Sequence, residues 1–155
     1  MKIRIVSFNN HRKGFEVGIR SRSYWYPFAR LEHPPGPADP IVRVFVDPEL
    51  GGEAFTYVLK SGREDSIHAE QVLEHNQDPS FLREQILYRL TIEARRGVAR
   101  SPLSKREIAR RLGTSAAQLY RLLDPANRRK SIDHLLRLLS ALDCEVDVVV
   151  RAKSA

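Results

Sequence analysis

The sequence predicts an α+β fold in which a small antiparallel β-sheet domain precedes a helical bundle and a C-terminal strand. Up to residue 77, apolar and polar residues alternate in short runs, the pattern of strands with one solvent-exposed face. From residue 79, apolar residues recur every three or four positions, as in amphipathic helices. Residues 145–151 return to a valine-rich pattern that favours a strand. We therefore expect two domains, at residues 1–77 and 78–155.

The first domain contains several short runs with strand character, separated by turn residues. These runs are residues 2–6, 15–19, 23–28, 41–46, 54–60 and 66–68. Residues 33–40 contain four prolines and are expected to form a loop, because proline has no backbone N–H to donate. Residues 69–74 fit either a short helix or a strand. We expect one antiparallel sheet of four or five strands, and no internal repeat is evident.

A long helix is expected from residue 79 to about residue 98. Asp78 can cap this helix, and Pro79 suits its first turn. Apolar residues that lie on or beside one face are expected to be buried, namely Leu82, Ile86, Leu87, Leu90, Ala94 and Val98. The helix ends in arginines, which are favourable at a helix C-terminus.

Two short helices with a tight turn between them are predicted next. Ser104 can cap the first helix, and Glu107, three positions later, completes a capping box. Gly113 ends this helix, because glycine takes without strain the positive φ that often follows a helix end. Ser115 can cap the second helix, which Pro125 ends. The expected buried faces are Ile108, Ala109, Leu112, Leu119, Leu122 and Leu123.

A basic loop at residues 125–130 is followed by a last helix and a strand. Ser131 can cap the helix, whose expected inner face is Ile132, Leu135, Leu136, Leu139 and Leu142. A lone strand at residues 145–151 needs a partner. It either joins the N-terminal sheet or pairs with its own copy in a second protomer.

The run SKREIARRLGTS at residues 104–115, followed by Leu119 and Leu122, resembles the repressor/Cro-type (XRE family) helix-turn-helix. In that family the second helix lies in the major groove of DNA. The resemblance implies a transcriptional regulator, such as a repressor, that places residues 115–123 in the major groove of double-stranded DNA. It also implies a homodimer on two half-sites, and so favours pairing of the terminal strand between two protomers.

The resemblance implies two sets of DNA contacts. Base edges are expected to meet Ala116, Ala117, Gln118, Tyr120 and Arg121. Arginine can bind guanine and glutamine can bind adenine through paired hydrogen bonds, whereas alanine offers only a methyl group. The alternative for Tyr120 is a position packed against the long helix predicted at residues 79–98. Phosphates are expected to meet Lys105, Arg106, Ser115, Arg128, Arg129 and Lys130.

The charge is unevenly distributed along the chain. The formal net charge is +7, with 26 Lys and Arg against 19 Asp and Glu. Residues 1–78 hold 10 basic and 11 acidic side chains, whereas residues 79–155 hold 16 and 8. The positive excess therefore lies in the half that carries the helix-turn-helix, which favours a polyanionic partner for that half.

Catalytic, metal and membrane functions are not indicated. The five histidines are scattered, without His-x-x-x-His, Cys-x-x-Cys or Glu-x-x-His spacing, and no nucleophilic triad can be nominated. We therefore expect no enzyme activity, metal or cofactor. Cys144 is the only cysteine, which excludes an internal disulfide and suits a cytoplasmic location. No apolar run approaches the roughly 20 residues that span a bilayer.

Three hypotheses describe the role of the β-rich domain. It could bind a small ligand between sheet and bundle, with Tyr24, Trp25 and Tyr26 in the pocket. It could bind a protein partner, as in an XRE-type antitoxin that neutralises a toxin. It could also serve only as a dimerisation scaffold.

Overall fold

The computed structural model describes residues 1–153, and in it the chain forms two compact units. The first unit is Met1–Leu82 and the second begins at Arg83, so the division falls after Leu82 rather than after residue 77. Six strands and five helices among the described residues confirm the mixed α+β class.

The first unit contains two three-stranded antiparallel sheets instead of the single sheet that was expected. One sheet consists, in this order, of β1 (Ile3–Asn9), β2 (Gly14–Ile19) and β3 (Arg22–Pro27). The other consists of β4 (Ile41–Val46), β5 (Ala54–Leu59) and β6 (Glu64–His68). A 3-10 turn and the proline-rich loop separate β3 from β4. The prediction was wrong because this loop offers few N–H groups with which to extend the first ladder.

The two sheets repeat one arrangement. In each sheet the central strand sends three alternating side chains into the core, namely Phe15, Val17 and Ile19 in β2, and Phe55, Tyr57 and Leu59 in β5. In each sheet the pairing register also shifts near the start of the first strand, at Ile3/Ile5 and at Ile41/Arg43. The repetition is not evident in the sequence, because only these core-facing positions keep their apolar character.

The two sheets share one hydrophobic core. The ring centroid of Phe15 lies 4.8 Å from that of Phe55 and 5.6 Å from that of Tyr57. The backbone N–H of Ile3 in β1 donates to the carbonyl of Gly52, just before β5, at 2.8 Å. Each sheet therefore covers the apolar face of the other.

Two helices follow β6. The segment that fitted either a helix or a strand is α1 (Ala69–His75), and α2 spans Pro79–Arg100. The cap predicted at Asp78 is confirmed, since its carboxylate accepts hydrogen bonds from the N–H of Phe81 (3.1 Å) and the hydroxyl of Tyr24 (2.8 Å). These two donors, the Tyr24 hydroxyl above all, lower the pKa of Asp78.

The Asp78→Ala variant should lose about 1 kcal/mol of unfolding free energy at neutral pH, because α2 loses its cap. The folded-state pKa of Asp78 is lowered, so its contribution is present above the unfolded pKa, near 4, and is lost as the pH falls through the folded-state pKa. We expect urea unfolding, followed by the fluorescence of Trp25, to separate the two proteins at neutral pH and less so towards pH ~2. An equal difference at both pH values would contradict a role for the charged form.

The second unit is helical. It contains most of α2, together with α3 (Lys105–Leu112), α4 (Ala116–Leu122) and α5 (Ile132–Ala141). Its core contains the buried side chains Ala94, Ile108, Ala109, Leu119, Leu123, Leu138 and Leu139.

Two residues predicted to be buried are exposed, Ile86 in α2 and Leu136 in α5. The buried face of α2 contains the predicted Leu87 and Ala94, together with Thr91, which was not predicted. Thr91 can occupy this face because its hydroxyl donates to the carbonyl of Leu87 at 2.6 Å, which satisfies the buried polar group. The apolar spacing therefore predicted the buried face of α2 apart from Ile86, and it missed Thr91 because this residue is polar.

The strand predicted at residues 145–151 is not formed. Residues 144–153 form neither a helix nor a strand. Valine favours strands only where a neighbouring strand completes its hydrogen bonds, and none does so here. Separately, none of the helices described is long and apolar enough to cross a membrane.

Candidate nucleic-acid interface

The start of α3 is fixed by the predicted serine cap. The backbone N–H of Glu107 donates to Ser104 Oγ at 3.1 Å. The capping box is incomplete, because the Glu107 carboxylate instead accepts hydrogen bonds from Arg110 (2.6 and 2.9 Å) and Arg111 (3.2 Å). These bonds to Arg110 and Arg111 lower the pKa of Glu107 to about 2. Both arginine side chains are thereby held along the surface of α3.

The turn between α3 and α4 depends on a left-handed glycine. Gly113 has φ 67° and ψ 33°, as predicted for the residue after α3. Its N–H donates to the carbonyl of Arg110 at 3.0 Å, and the N–H of Thr114 donates to that of Ala109 at 3.0 Å. Both bonds satisfy carbonyls at the end of α3 and fix the direction in which the chain enters α4.

Helix α4 presents all five predicted base-contact residues to solvent. The N–H of Gln118 donates to Ser115 Oγ at 3.2 Å, which confirms the cap. Leu119 is fully buried and holds the helix against the core. The side chains left exposed are Ala116, Ala117, Gln118, Tyr120 and Arg121. Gln118 and Arg121 are three positions apart, so their side chains lie next to each other on the helix surface.

Tyr120 lies on the flank of α4 that borders a groove. The groove has a volume of about 690 Å³ and is also lined by Arg95, Val98 and Lys105. The Lys105 ammonium is 5.1 Å from the centroid of the Tyr120 ring, within range of a cation–π interaction. Tyr120 is still 56% exposed. Tyr120 therefore lies beside residues of α2, but α2 does not bury its ring.

Lys130 does not have the position that a phosphate contact requires. It is only 6% exposed, and its ammonium donates to the carbonyls of Leu122 (2.9 Å) and Asp124 (2.6 Å). Arg95 also donates to the carbonyl of Leu123, at 3.4 Å. The two cations thus satisfy carbonyls at the end of α4, where positive charge is favourable. Burial lowers the pKa of Lys130. Its predicted role as a phosphate ligand is contradicted by this burial.

The other predicted phosphate ligands are exposed. They are Lys105 and Arg106 in α3, Ser115, and Arg128 and Arg129 in the loop after α4. Arg128 is 3.4 Å from Glu84, and because Arg128 itself is exposed, exchanging this partner for a phosphate costs little. The Ser115 hydroxyl accepts the cap bond and keeps its proton available for donation.

Asn127 positions the basic loop and was not predicted to be functional. Its amide donates to the carbonyl of Arg121 at 3.2 Å, and its Oδ1 accepts from the N–H of Arg129 at 3.1 Å. The turn-forming residues around Asp124 were the only available signal, since asparagine commonly binds nearby backbone in turns.

Within the first unit, the three aromatic residues predicted to line a ligand pocket have separate contacts. Tyr26 is buried in the core, and the Tyr24 hydroxyl is bound to Asp78. The Trp25 ring is covered by the Arg12 guanidinium, 4.2 Å from its centroid. Among residues 1–153, no group of three or more His, Cys, Asp or Glu could hold a metal ion.

Comparison with known proteins gives no relative. No family model matches the sequence, and no curated protein or solved structure matches the chain.

Proposed function

We propose that the second unit binds double-stranded DNA with α4 in the major groove, and that it does so in transcriptional control. The observation that carries this proposal is the surface of α4. A capped helix of two turns is held by α3 and a glycine turn, its solvent-facing residues include Arg121, and the exposed Lys105 lies beside its Tyr120. A helix presented in this way has the dimensions and charge that a major groove accepts.

Sequence readout in this proposal depends on Gln118 and Arg121. Arginine can donate two hydrogen bonds to O6 and N7 of guanine, and glutamine can pair with N6 and N7 of adenine. Ala116 and Ala117 leave room for thymine methyl groups and provide no polar discrimination. We therefore propose a short recognition element in each half-site, read by a homodimer.

A toxin partner of the first unit stays a prediction.

The experiment that tests this function is selection from a random duplex library at two salt concentrations, followed by sequencing. An enriched motif with two-fold symmetry would support a dimeric regulator and give the spacing of its half-sites. Enrichment of no motif, with salt-sensitive binding, would limit the function to non-specific DNA binding. No binding at low salt would contradict the proposal and favour the protein-interaction hypothesis.

Phosphate contacts predict a steep dependence of affinity on salt, since each neutralised phosphate releases counterions. The variant Arg129→Ala should reduce the slope of log affinity against log salt concentration by about 0.9, the change expected when one phosphate is no longer neutralised. Arg137→Ala is a matched control, because this exposed arginine in α5 pairs with Asp133 and is outside the proposed interface. Equal slopes for Arg129→Ala and the unmodified protein would remove Arg129 from the interface.

A further inference from the structure

The chain leaves the second unit at a fixed point after α5. Asp143 has a positive φ of 57°, and the N–H of Cys144 donates to the carbonyl of Leu139 at 2.9 Å. Leu142 and Cys144 pack against Gly97 so closely that a Cβ there would lie 3.1 Å from Leu142 Cδ1 and 3.5 Å from Cys144 Sγ. Residues 145–153, here called the tail, therefore begin from an anchored position.

The tail has the composition of a strand and the exposure of a segment without a partner. Val148 is 77% exposed and Val150 is 87% exposed, and Val146 and Val149 are also exposed. Consecutive exposed valines beside backbone groups without a ladder form a surface on which another strand can pair. The order of charges along the tail indicates which strand that is.

We propose that the tail pairs in antiparallel fashion with the tail of a second copy of this chain, with Val149 on the two-fold axis. In this register Asp147 lies opposite Arg151, and Glu145 lies opposite Lys153. Two-fold symmetry repeats both pairs, so every charged residue of the tail faces one of opposite sign. Opposite charges directly across two strands are stabilising, whereas like charges are destabilising.

The same register also matches the apolar residues. Val148 lies opposite Val150, Val149 lies opposite its own copy and Val146 lies opposite Ala152, so every apolar residue faces an apolar residue. Because side chains alternate along a strand, Val146, Val148 and Val150 form one apolar face, and the charged residues lie on the other. Moving the axis by one residue to Val148 places Asp147 opposite Val149, and moving it to Asp147 places that carboxylate opposite itself. Only the axis at Val149 pairs all four charges.

This inference deepens the homodimer of the proposed function by naming the surface that joins the two copies. Its tests measure self-association without DNA. Failure of the tail to pair would therefore be distinguished from failure of α4 to bind DNA.

The first test exchanges charges across the axis. Asp147→Arg places two arginines opposite each other twice in the dimer, and should raise the dissociation constant of the dimer roughly tenfold in analytical ultracentrifugation. Arg151→Asp should do the same. The double variant Asp147→Arg, Arg151→Asp restores opposite charges and should restore dimerisation. A monomeric unmodified protein, or a double variant as weak as the single variants, would overturn the proposal.

The second test determines the register by cysteine cross-linking in a Cys144→Ala background. Val149→Cys brings two cysteines directly opposite, with Cα atoms about 5 Å apart, and should form a disulfide-linked dimer on mild oxidation. Val148→Cys is the matched control. Its two copies are offset by two residues along the strands, so their Cα atoms are farther apart than the roughly 7 Å that a disulfide can bridge. Preferential linking through position 148, or equal linking through both, would overturn the register. Linking through neither would overturn the pairing itself.

Discussion

The variant with both Gln118→Ala and Arg121→Ala should lose its sequence preference for DNA while keeping its fold. Each paired contact with a base contributes roughly 1–3 kcal/mol of discrimination, so the double variant should lose about 2–6 kcal/mol between its preferred and a random duplex. Alanine retains the backbone N–H of residue 118 that donates to Ser115, and the carbonyl of residue 121 that accepts from Asn127. The change is therefore confined to the exposed surface of α4.

The measurement is the affinity for the selected duplex and for a scrambled duplex at one salt concentration, with thermal unfolding of the same preparations. A matched control is Gln85→Ala with Arg89→Ala, which removes the same side chains from the exposed face of α2. We expect the control to retain its preference and both variants to unfold within about 0.5 kcal/mol of the original protein. Retained preference in the α4 variant would mean that other residues read the sequence.

Lys130→Met should destabilise the second unit by about 2–4 kcal/mol, because two carbonyls at the end of α4 lose a buried, charged hydrogen-bond donor. Methionine is similar to lysine in length, so the loss reports mainly the ammonium contacts with Leu122 and Asp124. Arg129→Met, one residue earlier and exposed, should change the unfolding free energy by less than about 0.5 kcal/mol.

Chemical unfolding followed by helical circular dichroism would measure both variants, and salt titration of DNA binding would separate their roles. We expect Arg129→Met to reduce the salt slope and Lys130→Met to leave it unchanged under conditions where the protein is folded. A stable Lys130→Met protein with a reduced salt slope would return Lys130 to the phosphate contacts.

The local signals of α3, α4 and the turn between them could be read from the sequence, because each depends on residues close together in the chain. Ser104 and Ser115 were predicted to cap helices, and Gly113 was predicted to take a left-handed conformation. A serine hydroxyl reaches an N–H three positions later whatever surrounds the helix, and glycine adopts a positive φ without help from neighbours. These features required no knowledge of the tertiary structure.

The burial of individual side chains could not be read in this way. Arg129 and Lys130 are adjacent cations in one loop, and only the path of that loop places Lys130 under the end of α4. Similarly, Leu136 and Leu138 are equally apolar, but only Leu138 faces the core. The proposed phosphate ligands and the residues that support α4 are of the same residue types, so the sequence alone could not separate them.

Because the two sheets share one core, a truncation between them should prevent the remaining sheet from folding. A three-stranded sheet whose apolar face is left exposed to water presents a hydrophobic patch that promotes aggregation. The proline-rich segment between the sheets has the composition of a linker, yet removal of everything before it would expose Phe55 and Tyr57 in place of their contacts with Phe15. The smallest part of the first unit that can fold by itself therefore includes both sheets. A fragment that starts at β4 is expected to aggregate instead of folding.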